Sequence, residues 1–212
     1  MILELKKDLR ENKDKSFIFS SEDVLWWHKD VDKTALALKE FFTEIGFDDI
    51  KIIVYIRSQA DLFLSLCSQE VKNADPTYNA QESKPKDSSR FQMYEYKNLT
   101  KAFMNTFGKE NLIVKLFDRN EFYEGDLIKD FLHIFNIKLD ESFIKQEPAN
   151  ESLDLIGFEL LERINSHFEG FAWSPKGRNS FVYYDIIRGS FFTSKDPSLK
   201  FMPKKEIYES YI

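Results

Sequence analysis

Ile50-Lys51-Ile52-Ile53-Val54-Tyr55-Ile56-Arg57 runs directly into Ser58-Gln59-Ala60-Asp61-Leu62-Phe63-Leu64-Ser65. The first stretch is apolar and rich in β-branched residues, which reads as a buried strand. It stops on an arginine, and apolar residues at helical spacing begin at once. In open α/β sheets, ligands bind beside the carboxyl ends of the strands, where Arg57 stands. Its guanidinium is a planar fork of donors suited to phosphate, and a serine hydroxyl on the adjoining helix, Ser65, adds a second contact to the same group. Two readings of the pair stay open. One is an anion site; the other is an arginine paired with a nearby carboxylate and a serine facing water.

Outward from that junction, strands alternate with helices. Residues 2–12 read as a short charged helix and Lys15–Ser20 as a strand. Residues 32–45 read as a helix with Leu36, Leu38, Phe41, Phe42 and Ile45 on its apolar side, stopped by Gly46. After the strand at 50–56, a helix over about 60–72 carries Leu62, Phe63, Leu66, Cys67 and Val71 on one face. Residues 73–91 hold Pro76 and Pro85 and almost nothing apolar, the composition of a long exposed loop. A helix over 92–107 ends at Gly108, a strand follows at 111–117, and helices are expected over 126–136, 151–168 and 204–211. The helix over 151–168 has Leu153, Ile156, Leu160, Leu161 and Ile164 at helical spacing. The whole reads as a single α/β domain over 1–212, with a mainly parallel sheet flanked by helices.

Composition narrows the function. The 212 residues suffice for a sizeable core, and a net charge of −6 leaves no basic excess for general nucleic-acid binding. With one cysteine, Cys67, there is neither a disulfide framework nor a thiolate zinc site. His28, His133 and His167 are too far apart in sequence for metal-ligand spacing. No apolar run is long enough for a membrane span, and the N-terminus is too charged for a signal peptide, so a cytoplasmic location is expected.

The strand–Arg57–Ser65 junction resembles the 3′-phosphate-binding element of sulfotransferases, members of the P-loop-containing nucleotide hydrolase superfamily. Further stretches are similar to a bacterial, glycan-linked branch of that family. They are Phe17-Ile-Phe-Ser-Ser-Glu22, Ile53-Val-Tyr-Ile-Arg-Ser58, Phe107-Gly-Lys-Glu-Asn-Leu-Ile-Val-Lys-Leu-Phe-Asp-Arg119, Gly125-Asp-Leu-Ile-Lys-Asp-Phe-Leu132 and Asn150-Glu-Ser-Leu153. The resemblance implies a sulfotransferase-like fold and transfer of a sulfuryl group from 3′-phosphoadenosine 5′-phosphosulfate to a carbohydrate hydroxyl, without a metal. It implies that Arg57 and Ser65 grip the 3′-phosphate. The family's glycine-rich loop for the 5′-phosphosulfate has no counterpart, since no glycine precedes Gly46. The chain is therefore expected to be N-terminally incomplete or a degenerate paralogue.

Other candidates follow from the same resemblance. Glu22, with His28 as second choice, takes the place of the general base for the acceptor hydroxyl; as a plain reading, Ser20-Ser21-Glu22-Asp23 is a helix cap with first-turn carboxylates. Lys176 and Arg178 resemble a late Lys-Gly loop that closes over the nucleotide; as a plain reading they belong to a basic surface turn. Two further functions compete with the sulfotransferase reading. The first is a non-catalytic binding or assembly module, in which a partner chain or a second copy covers an exposed sheet edge. The second is a different α/β enzyme such as a glycosyltransferase.

Overall fold

Strand β1, Ile52–Ile56, forms where the β-branched run predicts it. Its partner β2, Leu112–Leu116, lies parallel to it, and the two make a two-stranded sheet. Parallel neighbours need a long crossover, and here helices α3, Gln59–Asn73, and α4, Tyr96–Phe107, fall between them in the chain. The computed structural model describes residues 2–12, 14–21, 24, 30–73, 84–85, 91–144, 152–167, 193–194 and 196–212. The other helices among these are α1 (Ile2–Glu11), α2 (Val31–Glu44), α5 (Leu127–Ile134), α6 (Leu155–His167) and α7 (Lys205–Glu209). The fold is mixed α/β. Its contacts group into two units, residues 1–56 with 92–115, and residues 57–91 with 116–212.

In the first unit the core is a helix pair laid on the sheet. Ala35 of α2 meets Leu99, Ala102, Phe103 and Phe107 of α4, with Ile52 and Val54 of β1 and Leu112 of β2 packed against them. The small Ala35 is what lets the two helices approach. This corrects part of the apolar face expected for α2: Leu38 packs against this core, but Thr34 and Ala35 are the buried residues, and Leu36 is 53% exposed. A helix is placed by the side chain that fits its neighbour most closely, and that is not always the largest one. Asp30 caps α2 by accepting the Lys33 N–H at 3.2 Å. At the other end the Gly46 and Phe47 N–H groups donate to the Thr43 and Phe42 carbonyls, a stop that Gly46 permits at φ 106°.

The segment expected as a strand over 15–20 joins no sheet among the described residues. Its alternate residues nevertheless point one way. The Phe17 ring lies 5.7 Å from Phe47, and the Phe19 ring lies 5.1 Å from Phe42 and 5.8 Å from Phe47. Aromatic contacts, not ladder hydrogen bonds, place this segment.

In the second unit α3 packs against α6. Phe63, Leu66 and Cys67 are buried as their spacing predicts, together with Phe158 and Leu161 of α6. Helix α6 starts four residues later than expected. Asp154 acts as its N-cap, accepting the Gly157 N–H at 2.8 Å through Oδ1 while its carbonyl accepts the Phe158 N–H at 2.9 Å. In this helix Phe158 faces inward, and Ile156, expected on the apolar face, is 54% exposed. Asp126 caps α5 in the same way, accepting from Ile128 and Lys129 at 2.9 and 3.0 Å. The C-terminal segment closes this core: Phe201 stacks on Phe158 with centroids 3.6 Å apart, and Tyr211 stacks on Phe63 at 4.0 Å.

Candidate functional site

Arg57 is the residue that follows β1, and Ser58 turns the chain into α3. The Asp61 N–H donates to Ser58 Oγ at 3.1 Å, and Ser58 Oγ donates to Asp61 Oδ2 at 2.6 Å. This reciprocal cap satisfies one free donor of the first turn and sets a carboxylate at the helix start. It also fixes where Arg57 leaves the backbone. The Arg57 guanidinium lies over the Phe117 ring, 5.3 Å from its centroid. A cation resting on an aromatic face keeps its donors free for another partner. Arg57 makes no ion pair among the described residues.

Arg57 and Ser65 line one pocket, of about 140 Å³. One water needs only ~10–15 Å³ of such space, and pockets for drug-sized ligands begin near ~300 Å³. The pocket therefore has room for a phosphate or sulfate group and is smaller than the pockets that enclose drug-sized ligands. Asp61 and Ser68 join Ser65 on the pocket wall, spaced four and three residues apart on α3, so one face of the helix presents all three. Ser152 and Lys200 supply the remaining polar lining. Leu64, Leu153 and Phe201 make up the apolar part.

Ser68 is buried, and its Oγ accepts the Leu153 N–H at 2.8 Å. A hydroxyl that accepts one bond still has its own proton to give. The formal charges on the wall are two positive, Arg57 and Lys200, and one negative, Asp61. Such a wall favours an anion and offers hydroxyl donors to its oxygens.

Of the residues singled out from sequence, the structure brings Arg57 and Ser65 together. Glu22, His28, Lys176 and Arg178 lie outside the described residues, as do 74–83 and 86–90 of the expected 73–91 loop. Arg119 is exposed, and the neighbouring Asp118 carboxylate is taken by Asn120, whose backbone and side-chain N–H groups donate to it at 2.9 and 3.1 Å. Burial pushes the Cys67 thiol up to about 12, so it is an inert core group at neutral pH. The sequence does hold one Asp-x-Asp triplet of the kind glycosyltransferases use, Asp30-Val31-Asp32. Asp30, however, caps α2 and pairs with Lys33 at 3.4 Å. Among the described residues no group of three or more His, Cys, Asp or Glu side chains is placed to hold a metal ion. No described helix is long and apolar enough to cross a membrane.

Sequence reasoning missed Asp61, Ser68, Ser152 and Lys200. The helical period from Ser65 was signal enough for Asp61 and Ser68. Nothing local to Ser152 or Lys200 announces the pocket.

Comparison with known proteins adds little to this picture. No protein-family model matches the chain, and no solved structure does. A protein of Archaeoglobus fulgidus described as uncharacterized is 32% identical over 135 residues, covering 63% of this chain. The match spans 34% of that relative's own length.

Proposed function

We propose that this chain is a sulfotransferase-like protein whose Arg57 pocket receives the 3′-phosphate of 3′-phosphoadenosine 5′-phosphosulfate. One observation carries the reading: Arg57 and Ser65 line the same pocket, which has room for a phosphate group. In it Arg57 donates a fork of hydrogen bonds to two phosphate oxygens, and Ser65 donates a third. The nucleotide, when bound, supplies an activated sulfuryl group for a carbohydrate hydroxyl. Glu22, or His28 in its place, is the proposed acceptor of that hydroxyl's proton. The donor set fits the 3′-phosphate end of the nucleotide. For the 5′ end the chain has no glycine-rich loop, so the proposal covers binding at the 3′ end and derives no transfer step. Calorimetric titration with adenosine 3′,5′-bisphosphate tests it. Wild type is expected to bind and Arg57→Ala to lose binding; a wild type that does not bind removes the proposal.

A second reading, an assembly module on the same scaffold, is favoured by the sheet itself. Parallel sheets are normally large and covered on both faces. Here two strands pair, and among the described residues no third strand covers either outer edge. A second copy of the chain covering such an edge is expected to give a concentration-dependent dimer in sedimentation velocity. A monomer at every concentration tested would count against it.

A further inference from the structure

We infer that Lys200 is the second cation of the Arg57 pocket, and that the C-terminal segment is built to hold it there. The inference rests on the reading of that pocket as a phosphate monoester site and adds a residue the sequence resemblance does not assign.

The placement is over-determined for a surface lysine. The backbone of Lys200 forms an antiparallel bridge with Asp154. Asp154 is itself buried, and its carboxylate accepts the Gly157 N–H at 2.8 Å and the Ser194 N–H at 3.0 Å. One carboxylate thus ties the start of α6 to the segment that carries the lysine. Ahead of Lys200, Asp196 accepts the Ser198 N–H at 2.9 Å, and the Lys200 N–H donates to the Pro197 carbonyl at 3.3 Å. Behind it, Phe201 is stacked on the fully buried Phe158 and also lines the pocket. The backbone at residue 200 is therefore fixed on both sides, and Lys200 is an exposed residue among those that line the pocket.

Charge gives that arrangement a use. Lys200 makes no ion pair among the described residues. With Asp61 on the wall, Arg57 alone leaves the lining formally neutral, and Lys200 makes it net positive. A doubly charged phosphate monoester needs that excess; a neutral sugar or peptide does not. Arg57 presents a rigid fork, and Lys200 adds a mobile point charge for the remaining oxygen.

The test titrates the full chain with adenosine 3′,5′-bisphosphate and, separately, with inorganic phosphate. Wild type, Arg57→Ala, Lys200→Met and Lys200→Arg are compared at two salt concentrations. Lys200→Met is expected to weaken both probes by roughly tenfold, with a shallower salt dependence and an unchanged melting temperature. Lys200→Arg is expected to stay within about twofold of wild type, because the charge is kept. An unchanged affinity in Lys200→Met, with binding lost in Arg57→Ala, overturns the role of Lys200 and leaves the pocket standing. Equal losses in Lys200→Met and Lys200→Arg overturn it too, since charge is then not what acts. A loss confined to the nucleotide probe does the same, by moving Lys200 away from the phosphate. A wild type that binds neither probe overturns the pocket reading itself.

Discussion

Ser68, buried on α3, accepts the backbone N–H of Leu153 at 2.8 Å and so fastens the helix to the chain entering α6. The same hydroxyl lies on the pocket wall, so one side chain serves both the packing of the helix pair and the proposed site. Ser68→Ala leaves a buried N–H without its acceptor. Stability is expected to fall by ~1–3 kcal/mol, read as a lower urea midpoint at unchanged slope. A midpoint equal to wild type would show that water replaces the hydroxyl.

Asp61 sets a negative charge on a wall that otherwise attracts anions. Asp61→Asn keeps an oxygen to accept from Ser58 and removes the charge. Affinity for adenosine 3′,5′-bisphosphate is expected to rise by roughly fivefold, the effect of ~1 kcal/mol of repulsion relieved. Weaker binding would mean that the carboxylate orients a cation of the pocket instead of opposing the ligand.

Phe158 is 0% exposed and stacked on Phe201. Phe158→Ala is expected to cost ~3–5 kcal/mol in chemical denaturation. The double variant with Phe201→Ala is expected to fall short of the sum of the singles, because both lose the same ring contact. Strict additivity would show that the rings do not support each other.

Gly108 stands at φ 95° and ψ 148° between α4 and the turn before β2, a region of backbone space open almost only to glycine. A Cβ there also meets Glu110 Oε1 at 2.5 Å. Gly108→Ala is expected to destabilise the fold by ~1–3 kcal/mol. Adding Glu110→Ala removes the clash but not the backbone strain, so recovery is expected to be partial. Full recovery would assign the whole cost to the side chain.

Burial raises the Cys67 thiol from 9.0 to about 12. Between those values the unfolded chain has released the proton and the folded chain has kept it. Stability is therefore full below about pH 9 and falls as pH rises toward about 12. Unfolding free energies at several alkaline pH values, compared with those of Cys67→Ala, isolate this contribution as a difference in slope. The native thiol is also expected to resist alkylation at neutral pH. Rapid labelling of the folded chain would contradict the burial.

The elements were largely legible because each carries its own local signal. The β-branched run at 52–56, the apolar face of α3 and the stop at Gly46 all lie within a few residues of the structure they specify. The failures have a common physical origin. Leu36 and Ile156 have the right spacing for a core, but which side of a helix turns inward depends on the neighbour. Ala35 fits against α4 and Phe158 against Phe201, and neither fit is written in a helical period. Lys15–Ser20 alternates like a strand, yet a strand exists only with a partner to share its hydrogen bonds.

The pocket divides along the same line. From the chain alone, Arg57 at a strand end and Ser65 on the following helix were readable, since backbone geometry links them locally. The helical period extends that reading to Asp61 and Ser68. What only the tertiary structure decided is that Ser152 and Lys200 complete the wall. They come from distant sequence, and the Asp154 bridge and the Phe158–Phe201 stack bring them in. Local periodicity holds no record of such a meeting, because it depends on how two separately formed elements bury their surfaces against each other.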